Sequence, residues 1–167
     1  MPTTNENSLN RKWQKAVCTL QRLGRGTFNR LLLSKPLSRF YDSRHKHLSL
    51  GDRGEIAAER FLLRQGWYIV ARSFETEVGE IDLIAVDRDT VVFVEVKTRT
   101  DTSRGLPEEA VDTAKQQKIA MMAEGFIRRY QLTQQHFRFD VISILWAPGS
   151  EPKIKHLINA FDASESY

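Results

Sequence analysis

The sequence predicts an α/β domain over residues 51–160, in the order helix, three strands, helix, strand and one candidate edge strand. Two observations support this class. Two segments place apolar residues at helical spacing, and several short segments rich in β-branched and aromatic residues have the length of strands. The chain has 167 residues, 41% of them hydrophobic, which is enough for one packed domain and some additional chain.

The first helix and the three strands after it have clear boundaries in the sequence. Asp52 is the predicted N-cap, Glu55 follows three residues later, and the helix is expected to continue to about Gln65 and to end at Gly66. The predicted strands are residues 67–72, 79–86 and 91–98. The connection between the last two is short, so these strands should pair as a hairpin.

The second half of the domain is predicted as a loop, a longer helix and the remaining strands. Gly105 and Pro107 mark a loop at residues 100–107. Helical spacing then extends over residues 108–130, with one apolar face. Residues 137–145 alternate as a strand and residues 153–158 are the candidate edge strand, which leaves residues 161–167 as a tail.

Charge is distributed unevenly along the chain. Residues 1–50 contain ten Lys and Arg against two acidic residues, whereas the remaining residues carry a net charge of −4. We expect a poorly packed or disordered basic extension, which suits a polyanion such as nucleic acid, although a solubilising tail explains the same charge. Cys18 is the only cysteine and excludes an internal disulfide, and no apolar run is long enough for a membrane span, so we expect a cytoplasmic protein with no membrane partner.

One face of the predicted hairpin carries charged residues. Side chains two residues apart in a strand point to the same side, so Glu80 shares a face with Asp82, and Glu95 shares a face with Lys97 and Arg99. A symmetric turn between the strands would place Asp82 opposite Glu95 and Glu80 opposite Lys97. The charged face is therefore either a site or a solvated surface.

Two directly opposed carboxylates repel each other unless a cation lies between them. Mg²⁺ favours such oxygen ligands, and with Asp82 and Glu95 as ligands it would support phosphodiester hydrolysis by activating a bound water. Lys97, on the same face, could orient that water or neutralise the charge that develops on the phosphate. The alternative is a solvated sheet face with an ion pair between Glu80 and Lys97.

Further candidate residues flank this face. Glu55 lies at the edge of the buried stripe of the first helix, where it either reaches the same site or pairs with Asp52 in a capping box. Lys115 lies on the apolar stripe of the second helix and either approaches a phosphate or extends its ammonium group into water. Arg99 and Arg104 are candidate contacts to a nucleic-acid backbone, or else ordinary exposed arginines.

The hairpin resembles that of the YraN family of uncharacterised bacterial proteins. The resemblance is carried by GEIDLIA at residues 79–85 and VFVEVKTR at residues 92–99, and it extends to Gly54 with Glu55, to Lys115 and to RFDV at residues 138–141. It covers roughly two-thirds of the chain. Ser73 stands where the family often has Asn, and residues 1–50 match no part of the family.

That family is grouped with the restriction-endonuclease-like folds of the PD-(D/E)xK superfamily and is similar to archaeal Holliday-junction resolvases. The resemblance therefore implies a mixed central sheet with helices on both faces. It also implies a catalytic set of Glu55, Asp82, Glu95 and Lys97, whose three carboxylates would hold Mg²⁺ or Mn²⁺. Glu80 is a further candidate residue because it shares a strand face with Asp82.

The function implied by this resemblance is a metal-dependent, structure-selective endonuclease that hydrolyses phosphodiester bonds in branched or damaged DNA. Cutting a junction on two strands requires two active sites, so a homodimer is compatible with this function. The alternative is a nucleic-acid-binding accessory protein that keeps the nuclease-like fold and does not cut, since a fold alone does not determine activity.

Overall fold

The structure is a computed structural model that describes residues 48–103, 105–107, 111–133 and 135–162. Three parts of the prediction therefore lie wholly or mostly outside the described residues: the extension at residues 1–50, the tail at residues 161–167 and Arg104. The elements in chain order are helix α1 (Leu50–Arg64), strands β1 (Tyr68–Thr76), β2 (Gly79–Asp87) and β3 (Thr90–Arg99), helix α2 (Thr113–Arg129) and strands β4 (His136–Leu145) and β5 (Lys153–Phe161).

Helix α1 begins three residues earlier than predicted. Ser49 is its N-cap: the hydroxyl of Ser49 accepts the N–H of Asp52 at 3.1 Å, and the carboxylate of Asp52 accepts the N–H of Ser49 at 3.0 Å. This reciprocal capping box satisfies two donors that a helix start leaves unpaired. The predictions that Asp52 is the N-cap and that Glu55 is its capping partner are therefore wrong, and the side chain of Glu55 is not engaged in a cap.

The five strands form one mixed sheet in sequence order. β1 pairs with β2, β2 with β3 and β4 with β5 in antiparallel fashion, whereas β3 and β4 are parallel because α2 connects them. Asp87 pairs with Thr90 across a two-residue turn whose first residue, Arg88, has a φ of 58°, as expected for a tight hairpin. The candidate edge strand is confirmed as β5 and continues to Phe161.

The two helices pack on opposite faces of the sheet. On one face, α1 buries Ala58 and Leu62 against Val94 and neighbouring apolar residues. On the other, α2 buries Ile119 and Phe126 against a second apolar layer. This arrangement confirms the predicted restriction-endonuclease-like fold class, a mixed central sheet with helices on both faces. Within the described ranges, neither helix combines the length and apolarity needed to cross a membrane.

Helix α2 begins later than its apolar spacing predicts. Asp112 is its N-cap and accepts the N–H of Lys115 at 2.8 Å, so that Val111 precedes the helix although it is buried in the same core. Lys115 therefore lies in the first turn of α2. The helix ends at Arg129, one residue before the predicted end.

A buried ionic cluster joins β4 to β5 on the α1 side of the sheet. The fully buried carboxylate of Asp140 accepts hydrogen bonds from Arg138 Nε at 3.0 Å and from the Asn159 N–H at 2.9 Å, and it contacts His156 Nε2 at 2.8 Å. Burial by itself would raise the pKa of Asp140, but the bonds from His156, Arg138 and Asn159 outweigh it and hold the pKa below its ordinary value. Asp140 is therefore ionised and fixes the edge strand.

Candidate functional site

The candidate site lies where β2 and β3 separate. Their backbone pairing follows the predicted register from Asp87 opposite Thr90 to Leu83 opposite Val94 and goes no further. Beyond that point the carboxylate of Asp82 accepts the backbone N–H of Val96 at 2.6 Å. A side chain thus bridges the two strands at the place where their backbones no longer pair.

This separation corrects two predicted cross-strand pairs. Asp82 is not paired backbone to backbone with Glu95, nor Glu80 with Lys97, because the pairing of β2 with β3 stops before either position. Lys97 bonds to Glu95 on its own strand, which also removes the predicted ion pair between Glu80 and Lys97 as an explanation of the charged face. Asp82 and Glu95 are nevertheless close enough for the charge of one to act on the pKa of the other.

Strands β1 and β2 both reverse the alternation of their side chains between the two faces of the sheet beside the site. Two of their pairs pack on the α2 side of the sheet, namely Ala71 with Ile84 and Phe74 with Ile81. Because side chains alternate along a strand, positions three apart share a face only if each strand reverses its alternation between them. Ser73, with a φ of 44°, lies within the reversal on β1 and Asp82 lies within it on β2. The residue that departs from the family pattern is thus part of the bend next to Asp82 and does not lie in a turn.

Glu95 is the centre of the site. Its side chain is 2% exposed, and its Oε1 contacts Lys97 Nζ at 2.6 Å and Lys115 Nζ at 3.1 Å. Its Oε2 is buried and has no hydrogen-bond partner among the residues that the structure describes. A buried carboxylate oxygen without a partner is costly, so this atom is the natural position for a ligand that donates or carries positive charge.

Asp82 has an unusual protonation equilibrium for an aspartate. Burial raises its pKa to about 7, and the negative charges of Glu95 and Glu55 act in the same direction, whereas the hydrogen bond from Val96 and the charge of Lys115 oppose the shift. At neutral pH this carboxyl is close to half protonated. A cation placed between Asp82 and Glu95 would lower the pKa of Asp82 again and favour its ionised form.

Glu55 and Glu80 extend the acidic side of the site. Glu55 comes from the first turns of α1, and burial raises its pKa together with the charges of Glu80, Asp52 and Glu95. Glu80 is half-buried on β2 and lies opposite Glu75 of β1. Glu55 of α1 therefore lies close enough to Glu80 and Glu95 for their charges to act on its pKa.

A close helix contact positions Glu55. Gly54, the preceding residue, faces Thr98 at the end of β3, and a Cβ on Gly54 would lie 1.8 Å from Thr98 Oγ1. Only glycine permits this approach of α1 to β3. The contact sets the height of Glu55 above the end of the strand that carries Glu95.

The donor chemistry of the site fits a hard divalent cation held by two carboxylates. Mg²⁺ typically takes one or two protein carboxylates and keeps several waters, and Asp82 with the free oxygen of Glu95 meets that description. Across the described part of the chain, no group of three or more His, Cys, Asp or Glu side chains is arranged to hold a metal ion. Glu55 as a third ligand therefore stays a prediction.

The predicted nucleic-acid contacts have different surroundings. Arg99 donates from Nη1 to the Gly105 carbonyl at 2.7 Å and so holds the loop that follows β3. Lys115 is 31% exposed and its ammonium group contacts Glu95, an arrangement that neither of its two predicted roles included. Arg104 lies outside the described residues.

Comparison with known sequences identifies the family of the chain that carries this site. The sequence pattern of Uncharacterised protein family UPF0102 matches residues 54–144, which include Glu55, Asp82, Glu95 and Lys97. A UPF0102 protein of Trichlorobacter lovleyi is 44% identical over 115 residues, which cover 68% of this chain and 91% of the relative. A UPF0102 protein of Nocardia farcinica is 45% identical over 113 residues, which cover 68% of this chain and 89% of the relative.

The chain belongs to the UPF0102 family. This confirms the resemblance to the YraN family found in the hairpin residues, and membership of the nuclease superfamily is consistent with it. The UPF0102 match begins at Gly54 and ends at Ile144, so that residues 1–53 and strand β5 lie outside it. The match thus contains every predicted site residue.

Sequence reasoning missed one polar neighbour within the UPF0102 match. Ser143 of β4 is 4% exposed and lies directly beside Lys97 in the parallel pairing of β3 with β4. The signal was present, because Ser143 is a polar residue in an otherwise apolar strand segment. Its proximity to Lys97 required the register of a parallel pair, which local sequence patterns do not supply.

Proposed function

We propose that this protein is a divalent-metal-dependent endonuclease that hydrolyses phosphodiester bonds in branched or damaged DNA. The observation that carries the proposal is the state of Glu95: buried, held through one oxygen by Lys97 and Lys115, and left without a partner at the other oxygen beside the high-pKa carboxyl of Asp82. A carboxyl whose pKa is raised by burial and by a neighbouring carboxylate, as in Asp82, is typical of active sites.

The proposed roles of the residues follow from their positions. Asp82 and Glu95 would hold Mg²⁺ or Mn²⁺, which when bound supplies an activated water and charge stabilisation at phosphorus. Glu55 would extend the acidic side, either at the cation or at a water next to it. Lys97 and Lys115 would transfer part of their contact from Glu95 to the phosphate, so that positive charge meets the negative charge developing in the transition state.

The test is cleavage of a labelled panel containing a four-way junction, a flap, a single strand and a duplex, each in DNA and RNA form, with Mg²⁺, Mn²⁺ or chelator. Glu95→Gln keeps the shape of the side chain and removes its charge, so cleavage should disappear. Glu124→Gln removes an exposed carboxylate of α2 and should leave cleavage unchanged. Cleavage that persists in Glu95→Gln, or that needs no metal, would refute the proposed mechanism.

A second candidate function is supported by one observation. Lys97 and Lys115 already neutralise Glu95 within the protein, so the cluster is stable without a metal and is compatible with an accessory protein that binds nucleic acid and does not cut. That protein would bind the panel in chelator with strong salt dependence, and deletion of residues 1–50 would weaken binding. Metal-dependent cleavage by the wild type would exclude it.

A further inference from the structure

A row of polar residues at paired positions crosses the sheet from Lys97 on β3 to the edge strand β5. In the parallel pairing of β3 with β4, Lys97 lies beside Ser143, and in the antiparallel pairing of β4 with β5, Ser143 lies beside Lys155. Directly paired residues present their side chains to the same face of a sheet. Lys155 therefore shares the face of the candidate site although it is two strands away from Lys97.

The packing of β5 assigns its faces independently. Leu157 packs in the core beneath α2, whereas Ile154 packs in the core beneath α1. Alternation along the strand then places Lys153 and Lys155 with Leu157, on the α2 side. Both lysines are exposed, so α2 does not cover this end of the sheet.

A second row repeats the pattern next to the first. Arg99 lies beside Leu145, and Leu145 lies beside Lys153. Neither row contains a carboxylate at these paired positions, and both begin at a cationic residue next to the site. Four cationic residues therefore lie at neighbouring positions on one face of the sheet, and a cluster of positive charge attracts a polyanion.

The spacing of these rows suits a nucleic-acid backbone. Adjacent strands lie about 4.8 Å apart, so Lys97 and Lys155 are separated by about 10 Å at their backbones. The backbone of a DNA strand winds around the helix axis, so its successive phosphates are farther apart than the axial rise of about 3.4 Å, and a row about 10 Å long is comparable with the distance between neighbouring phosphates. A continuous backbone could therefore contact Lys97 and the lysines of β5 at the same time.

We propose that Lys153 and Lys155 bind phosphates of the substrate strand beyond the reacting phosphodiester. The inference rests on the proposed function only in taking Lys97 as the position of the reacting phosphate. Lys153 and Lys155 lie outside the UPF0102 match, so they add a binding surface to the site that the matched residues form. The two lysines position the substrate and take no part in the reaction itself.

The experiment measures binding of the full-length protein to a fluorescent DNA duplex and four-way junction by anisotropy, in chelator, across a range of salt concentrations. The test variant carries Lys153→Ala and Lys155→Ala together. The matched control carries Arg128→Ala and Arg129→Ala, which also remove two exposed cations but at the far end of α2. A third variant, with Lys153→Arg and Lys155→Arg, keeps the charge.

Loss of two phosphate contacts should weaken binding about 10- to 100-fold at 0.1 M salt and should reduce the slope of log K against log salt by about 2. The matched control should bind as the wild type does, and the arginine variant should restore the slope. Equal binding by the lysine-to-alanine variant and the wild type would overturn the proposal, as would an equal loss in the control or the absence of any nucleic-acid binding by the wild type.

The design separates this proposal from the nuclease proposal. Binding is measured in chelator, so a protein that never cuts can still show the lysine-dependent slope, and the binding surface then stands while the nuclease proposal fails. Conversely, metal-dependent cleavage with an unchanged slope would leave the nuclease proposal intact and refute the role of Lys153 and Lys155.

Discussion

The carboxylate of Asp82 accepts the backbone N–H of Val96 at 2.6 Å, just beyond the last backbone pair of β2 and β3. The bond holds a half-buried acidic group near Glu95, and burial together with that neighbour raises the pKa of Asp82 to about 7. This relationship costs stability when both groups are ionised, and the cost can be measured.

Asp82→Asn should stabilise the metal-free protein at high pH. The folded state holds the Asp82 proton up to about pH 7 and the unfolded state loses it near the ordinary pKa of 3.8, so the wild-type free energy of unfolding falls as pH rises between these values. Three pKa units correspond to an upper limit of about 4 kcal/mol. Asn keeps the acceptor for Val96 and cannot ionise.

Urea unfolding in chelator at pH 5 and pH 8 measures this difference. The stability of Asp82→Asn relative to wild type should increase with pH, whereas Asp89→Asn, at an exposed position of the β2–β3 turn, should show no such trend. A pH-independent difference for Asp82→Asn would contradict the raised pKa.

Metal should stabilise the wild type in a pH-dependent way. A cation that binds only the folded state adds about 2.7 kcal/mol at a hundred times its dissociation constant. Because Asp82 must lose its proton to bind, the increase in Tm with Mg²⁺ or Mn²⁺ should be larger at pH 8 than at pH 6. The same increase in Glu95→Gln would show that the metal binds elsewhere.

Gly54→Ala should destabilise the protein by about 1–3 kcal/mol or more, because the added Cβ would lie 1.8 Å from Thr98 Oγ1. Gly125→Ala in α2 is the matched control, since nothing lies within 4 Å of its Cβ position and alanine favours a helix by up to about 1 kcal/mol. Thermal or urea unfolding should therefore show a lower stability for Gly54→Ala and an equal or higher stability for Gly125→Ala. A change in stability of the same sign for both variants would contradict the close contact.

Asp140→Asn should destabilise the protein near neutral pH by about 1.5–3 kcal/mol, because it removes the fully buried counter-charge of Arg138, which keeps its contact with Asp87 at 3.2 Å. The pKa of Asp140 is lowered, so its stabilising contribution is complete above the ordinary value of 3.8 and is lost as pH falls through the lower folded-state pKa. The difference in the free energy of unfolding between the wild type and Asp140→Asn should thus become smaller below pH 4. Glu151→Gln, at an exposed position before β5, should show neither effect.

Ser73 offers a test of the bend beside Asp82. Valine is strongly disfavoured at a φ of 44°, so Ser73→Val should cost about 1–2 kcal/mol and should also reduce cleavage or metal binding by displacing Asp82. Ser73→Asn should be neutral or slightly stabilising, because asparagine tolerates this conformation. Glu75→Val on the same strand is the control, and an equal effect there would assign the loss to β-branching in general.

The order of elements was predictable because it depends on local patterns. Alternation and β-branched content marked β2, β3 and β4 to within two residues at each end, and apolar spacing marked both helices. The start of α1 was missed because Ser49 and Asp52 both suit an N-cap, and the choice between them depends on which side chain accepts which N–H. β1 was predicted too short because its second half, at an edge of the sheet, is polar.

The sequence predicted that Asp82 and Glu95 lie close together, but it did not predict the geometry around them. The hairpin register placed Asp82 near Glu95, but it assumed regular pairing and could not anticipate that the pairing of β2 with β3 ends at Leu83. The contact of Lys115 with Glu95 and the strand pairing of Ser143 with Lys97 join residues far apart in the chain. Such contacts depend on packing across the sheet, which local periodicity does not encode.

The turn between β4 and β5 has a consequence for the length of the chain. Ser150 N donates to the Ala147 carbonyl at 3.1 Å and Trp146 Nε1 donates to the Ser150 carbonyl at 2.9 Å, so the turn has one defined path. A one-residue insertion or deletion there that slips β5 by one position would exchange its two faces. His156 would leave Asp140, and both exposed lysines would be turned into the apolar layer under α1. The number of residues in this turn is therefore constrained. Insertions and deletions in natural relatives should comprise an even number of residues or lie outside the turn.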